Sequence, residues 1–227
     1  MKTRTSKALG AAAGIAAIVA SLPMAYTASA DPTTTPVAPI PDPQGSGCDA
    51  FKQAVPGFKD LDKQPVGTAL ASIPDISTFN ALVSGQANPA VNIVSVLNNG
   101  PYVVFAPTNE AFAALEPGQL DAIKADPAAL AKLDYYHVFL GLLGNDDVHG
   151  QRPTQQGAEV KVTGKGGDVK VNDTAKLVCG AIQASNARIY LIDTVLDPNQ
   201  APEPITPSGT SSTTTTTTTQ APPPPAG

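Results

Sequence analysis

The sequence predicts a single α+β domain spanning residues 48–198, and three observations carry that expectation. Apolar residues recur at helical spacing through the first half of this window, and after Gly157 they alternate with polar ones. Outside the window Pro, Thr and Ser dominate, so neither end can bury a core. Helices clustered early and strands clustered late differ from the alternating order that a parallel α/β sheet requires.

The elements follow in order. Asp75 is the N-cap of a helix that carries Ile76, Phe79, Leu82 and Val83 on one face and stops at Gly85. Asn88-Pro89 opens a second helix with Ile93, Val96 and Leu97 inward, ended by Asn98-Asn99-Gly100. Residues 101–105 are rich in β-branched and aromatic residues and read as a strand halted at Pro107. Thr108 or Asn109 then caps a short helix bearing Phe112 and Leu115, and 117–124 and 127–133 continue the helical part with Leu120, Ile123, Leu130 and Leu133 inward. A strand is expected at 134–140, with His137 at its middle. After Gly157 come strands at 158–163, 168–171, 176–184 and 188–193, the last extended by Thr194-Val195-Leu196, joined by turns at 164–167 and at Asn172-Asp173.

The ends point to export. Lys2, Arg4 and Lys7 precede an uncharged, Ala-rich run over 8–20 and a close in Ala28-Ser29-Ala30, the pattern of a secretory signal peptide over residues 1–30. The alternative is an uncleaved N-terminal anchor. Residue 31 is Asp and not Cys, so a lipid-modified cysteine is not indicated. Residues 31–47 form a Pro/Thr-rich linker, and 199–227, with a Thr tract at 213–219, form a Pro/Thr-rich tail, either a glycan-bearing spacer or an unmodified one. Asn172-Asp173-Thr174 fits an N-glycosylation sequon.

Charge and composition exclude several classes. The chain has 14 basic and 19 acidic residues, a net charge of -5, which becomes -8 once the three basic residues of 1–30 are gone. Such a balance argues against nucleic-acid binding. Two His and two Cys leave few metal ligands. In an exported protein the lone pair Cys48 and Cys179 is most simply a disulfide, the competitor being a reactive thiol, although neither has an activating base beside it. No nucleophile elbow, phosphate-binding loop or zinc-protease helix is present, and Asp146, Asp147 and His149 lack a fourth ligand at a definite spacing. We therefore nominate no catalytic, cofactor or metal residue and expect a protein that is not an enzyme.

Tyr102-Val-Val-Phe-Ala-Pro-Thr-Asn-Glu-Ala-Phe112, then Tyr136-His137, then Tyr190-Leu-Ile-Asp-Thr-Val-Leu196 resemble the first motif, the Tyr-His pair and the second motif of the fasciclin domain. With Cys48, Gly85-Gln86-x-Asn88-Pro89 and Val178-Cys179-Gly180 the window is similar, more narrowly, to the secreted immunogenic proteins of mycobacteria. The resemblance implies a β-sandwich or wedge flanked by helices, pairing of Cys48 with Cys179, and a structural role for Thr108, Asn109, Tyr136 and His137, with the His137 position bonded to the first motif. It also implies adhesion or binding to an extracellular or cell-surface protein or glycan. The alternative reading is a small-ligand or lipid carrier of the cell envelope. Animal relatives place a receptor contact on an acidic residue followed by an aliphatic one near the Tyr-His pair, for which Asp134 and Asp147-Val148 are the local candidates; neither reproduces that motif, so no partner-binding residue is carried over. A monomer, secreted or associated with the cell wall, without a membrane span after signal cleavage, completes the expectation.

Overall fold

Gly, Pro and Asn interrupt the chain before residue 137 so often that its helices are short. A computed structural model describes residues 41–205; the signal segment, most of the linker and most of the tail lie outside the described residues. Helix α1 (Cys48–Ala54) leads through a 3-10 turn at Phe58–Lys63 into α2 (Val66–Ala71), and a second 3-10 turn at Pro74–Ile76 precedes α3 (Ser77–Val83) and α4 (Val94–Asn98). After strand β1 (Tyr102–Pro107) come α5 (Asn109–Ala113), α6 (Gln119–Ala125) and α7 (Pro127–Tyr136). Strands β2 (Val138–Leu140), β3 (Gly150–Pro153), β4 (Glu159–Thr163), β5 (Lys170–Val171), β6 (Ala175–Ala184) and β7 (Ala187–Ile192) follow. The class is α+β, as the order of periodicities predicts.

Several boundaries differ from the sequence reading. Asp75 caps nothing: α3 starts at Ser77, and the Thr78 N–H is taken by the distant Asn109 Oδ1 at 3.0 Å. Asn88 makes a local turn, accepting from the Ala90 N–H at 3.0 Å, and α4 begins only at Val94, whose N–H bonds Asn92 Oδ1 at 3.1 Å. Helix α7 extends to Tyr136, so His137 sits at its C-terminal cap and not within a strand. Asp126, capping both Ala128 and Ala129, and Pro127 in the first turn nucleate that helix, and Leu130, Leu133 and Tyr136 keep its buried face running to the end. Helices α1 and α2 and strand β3 were not expected.

The strands pair in the order β2-β1-β7-β6-β5-β4-β3, with β1 and β7 parallel and the other pairs antiparallel. Two register shifts in β6, on either side of Cys179, bend this sheet. Before the first shift Ala175 and Leu177 face one core; beyond it Cys179, Ile182 and Ala184 face the other. The bend needs Gly180, since a Cβ there would stand 2.6 Å from the Tyr190 ring. The two ends of the sheet meet where Phe139 bridges Thr154 and the Gln155 N–H donates to the Val138 carbonyl at 2.7 Å. The sandwich or wedge is thus one folded sheet.

Alternation along β1 and β7 divides the interior. Val104, Ala106, Ile189 and Leu191 meet Phe51, Leu70, Phe79, Leu97 and Leu130 in a helix-side core. Val103, Phe105, Tyr190 and Ile192 meet Val160, Val162, Val171 and Leu177 in a sheet-side core. Cys48 and Cys179 form a disulfide within the helix-side core, joining α1 to the bend of β6 across 131 positions. Backbone bonds from Gly47 to Val178, and both ways between Gln44 and Gly180, extend that junction.

Candidate functional site

The four motif residues are committed to internal bonds. Thr108 Oγ1 accepts from the Ala111 N–H at 3.3 Å and so caps α5, while its own N–H bonds the Ile192 carbonyl at 3.0 Å. Asn109 reaches outward from α5, accepting from Thr78 and donating to the Pro74 carbonyl at 2.9 Å, so it ties α3 and the turn before it to the first motif. Tyr136 donates its hydroxyl to the Glu159 carbonyl at 3.1 Å and accepts from Asn172 Nδ2 at 2.8 Å, fixing α7 to the β4 and β5–β6 region.

His137 is fully buried. Its Nδ1 lies 2.9 Å from the Leu133 carbonyl and its Nε2 accepts the Leu196 N–H at 3.0 Å, which assigns the proton to Nδ1. The imidazole therefore bonds the second motif and not the first; what the first motif receives is the His137 carbonyl, bonded by the Phe105 N–H at 2.9 Å. Burial lowers its pKa to about 4, so the ring is neutral at ordinary pH and has no lone pair left to offer a substrate.

The other sequence candidates fall apart spatially. Asp134 is fully buried, with no hydrogen-bond partner on either carboxyl oxygen, and burial raises its pKa to about 8. Asp147 is exposed but Val148 is buried, so neither acidic-aliphatic candidate presents both members to a receptor. His149 turns its Nδ1 to the Asp146 carbonyl at 2.8 Å. Among the described residues no cluster of three or more His, Cys, Asp or Glu side chains could hold a metal ion. The sequon asparagine is also engaged: Asn172 accepts from the Lys161 N–H at 3.0 Å and donates to Tyr136 at 2.8 Å.

What remains is a cleft of about 490 Å³ between α6, α7 and the segment after β7. Leu115, Ile123, Leu133, Val195 and Leu196 supply apolar lining, and Gln119, Asp126, Lys132, Asp197 and Asn199 are among its polar lining residues. The His137–Leu196 bond anchors one wall, and Lys132, donating to Asn199 at 2.7 Å, crosses between the walls. Helical spacing places Ile123 inward, but it is only half-buried and faces this cleft; Val195 and Leu196, expected to extend the last strand, lie beyond the end of β7 at Ile192 and line the cleft instead. The cleft combines apolar and polar lining, the composition of a surface that takes small molecules.

Comparison with known proteins agrees with these motifs. A model of the Fasciclin domain matches residues 74–198. The immunogenic protein MPB70 of Mycobacterium bovis is 38% identical over 192 residues, covering 83% of this chain and 93% of its own. The cell surface glycolipoprotein MPB83 of the same species is 37% identical over 209 residues, covering 83% and 94%. A FAS1 domain pair from the insect cell adhesion molecule fasciclin I aligns with a TM-score of 0.41 and 19% identity over 54% of this chain and 45% of that one.

Proposed function

The chain belongs to the Fasciclin domain family, and from that premise we propose that it is an exported protein that acts by binding at a cell or matrix surface rather than by catalysis. The observation that carries this reading is the commitment of Thr108, Asn109, Tyr136 and His137 to internal bonds. Residues that might have formed an acid–base centre hold elements together instead. Export follows the signal-type segment at 1–30 and agrees with relatives that are named as immunogenic or cell-surface proteins. Among the described residues no helix is long and apolar enough to cross a membrane. The test is retention of the purified secreted chain on envelope material, matrix proteins and glycans. Retention on at least one surface is expected; elution from all of them with the void volume would overturn the reading.

One observation favours a second reading, a carrier of a small apolar ligand: the cleft beside Leu196 is large enough for a drug-sized molecule. Native mass spectrometry on protein from its own host decides between them. A co-purifying mass that disappears in a Leu115→Asp/Val195→Asp variant supports the carrier, and a bare mass rejects it.

A further inference from the structure

Nine lysines lie in the described residues, and their pairing is uneven. Lys52, Lys59, Lys63, Lys124 and Lys161 stand in ion pairs, and Lys132 donates to Asn199. The three that have neither an ion pair nor a side-chain hydrogen bond, Lys165, Lys170 and Lys176, all belong to β5, β6 and the turn before them. Lys170 and Lys176 are directly opposite in the register, and Thr163 is opposite Lys170 on the other side. Because Val162, Val171 and Ala175 point into the sheet-side core, Thr163, Lys170 and Lys176 share the outward face. Like charges directly opposite across a strand pair destabilise it, and all three amines are on exposed residues. Residues 160–177 hold four lysines against two aspartates in a chain that is acidic overall.

We infer that this outward face of β4, β5 and β6 binds an acidic polysaccharide, one bearing sulfate or uronate groups. The inference deepens the surface-binding reading and rests on it. Next to the lysine pair is a recess of about 410 Å³ whose lining includes Lys170, Lys176, Asp168, Asp193, Gly45 and Ser46. Amines match acid groups, while the carboxylates of Asp168 and Asp193 match sugar hydroxyls, a mixture that suits a glycan. A bilayer surface would call for apolar side chains to insert, and the exposed large apolar residues, Leu140, Leu142 and Ile205, lie on other segments.

The test uses the full secreted chain on heparin, polygalacturonate, neutral dextran and phosphatidylglycerol vesicles at about 50 mM salt, where screening is weak. Binding to one or both acidic glycans, and not to dextran, is expected; heparin against polygalacturonate distinguishes sulfate from uronate. A Lys165→Gln/Lys170→Gln/Lys176→Gln variant should bind about 100-fold more weakly, at about fivefold per lysine. The Arg triple variant should keep its binding, and so should Lys59→Gln/Lys63→Gln/Lys124→Gln, which removes the same charge elsewhere. Equal losses in both Gln variants, no glycan binding by the parent, or tighter binding to vesicles than to either glycan would each overturn the inference. Retention on envelope or matrix material that survives the first variant would overturn it too, leaving the surface-binding reading intact.

Discussion

The helix-side and sheet-side cores share β1 and β7 yet are closed in opposite ways. The helix-side core depends on ties between residues far apart in sequence: Cys48 to Cys179, Asn109 to Thr78, and Asn186, whose side chain accepts from Val66 and donates to the Leu97 and Gly100 carbonyls. In the sheet-side core β1 and β7 are covered by β4 to β6, sequence neighbours folded back on each other by short turns. Distance in sequence thus decides how each core fails. Losing one long tie frees a large stretch of chain, whereas a turn of three to six residues re-forms locally.

Removing the largest tie should show this most clearly. Cys48→Ala/Cys179→Ala is expected to lower stability by ~5 kcal/mol on the loop-entropy estimate for this separation. Hydrogen exchange should then accelerate in α1 and α2 while β4 and β5 amides keep their protection; uniform acceleration would erase the distinction between the cores. His137→Ala cuts a tie at the border of the two cores and leaves the Leu196 N–H unsatisfied. It should lower stability by about 1–3 kcal/mol in urea denaturation, and an unchanged midpoint would show that the bond contributes nothing.

The next effect is pH-dependent and pits neighbouring groups on α7 against each other. Asp134 stays neutral in the fold up to about pH 8, whereas its ordinary value is 3.8, so rising pH across that interval favours the unfolded chain. His137 stays neutral down to about 4 against an ordinary 6.5, so falling pH across that interval favours the unfolded chain too. The slopes oppose each other between about pH 4 and 6.5; above that Asp134 acts alone, and stability should fall by about 2 kcal/mol by pH 8. Asp134→Asn should abolish the fall, and denaturation curves at pH 5, 6.5 and 8 check it. Smallest is Tyr136→Phe, which removes the hydroxyl pinning α7 to the sheet-side core at an expected cost of about 1 kcal/mol. A melting temperature equal to the parent's would mean that Asn172 and Glu159 hold that core without it.

Legibility in the sequence followed the same divide. The alternation of Val160 and Val162 and the turn at Asn172-Asp173, both residues of which adopt left-handed φ of 50° and 60°, made the β4–β6 region readable from neighbours alone. Asn109 could be recognised as a helix-end residue, but not as the cap of α3, because its partner is 31 positions away. His137 was misplaced in a strand because Tyr135, Tyr136, Val138 and Phe139 have strong β propensity, and tertiary packing of Tyr136 against the sheet kept the helix going. Strand β3, with Gly150 and Pro153 at its ends, has the composition of a loop and is a strand only because β4 pairs with it. The second motif contains Val195 and Leu196, but that they form a cleft wall needed the fold.

The meeting of Phe139 with Thr154 has a further consequence. A sheet of seven strands normally ends in two rows of unpaired amides and carbonyls, on which another molecule of the same protein can add a strand. Here each margin occupies part of the other, and Pro153 interrupts what is left of β3. The fold carries its own guard against strand-by-strand aggregation, a useful property for an exported chain.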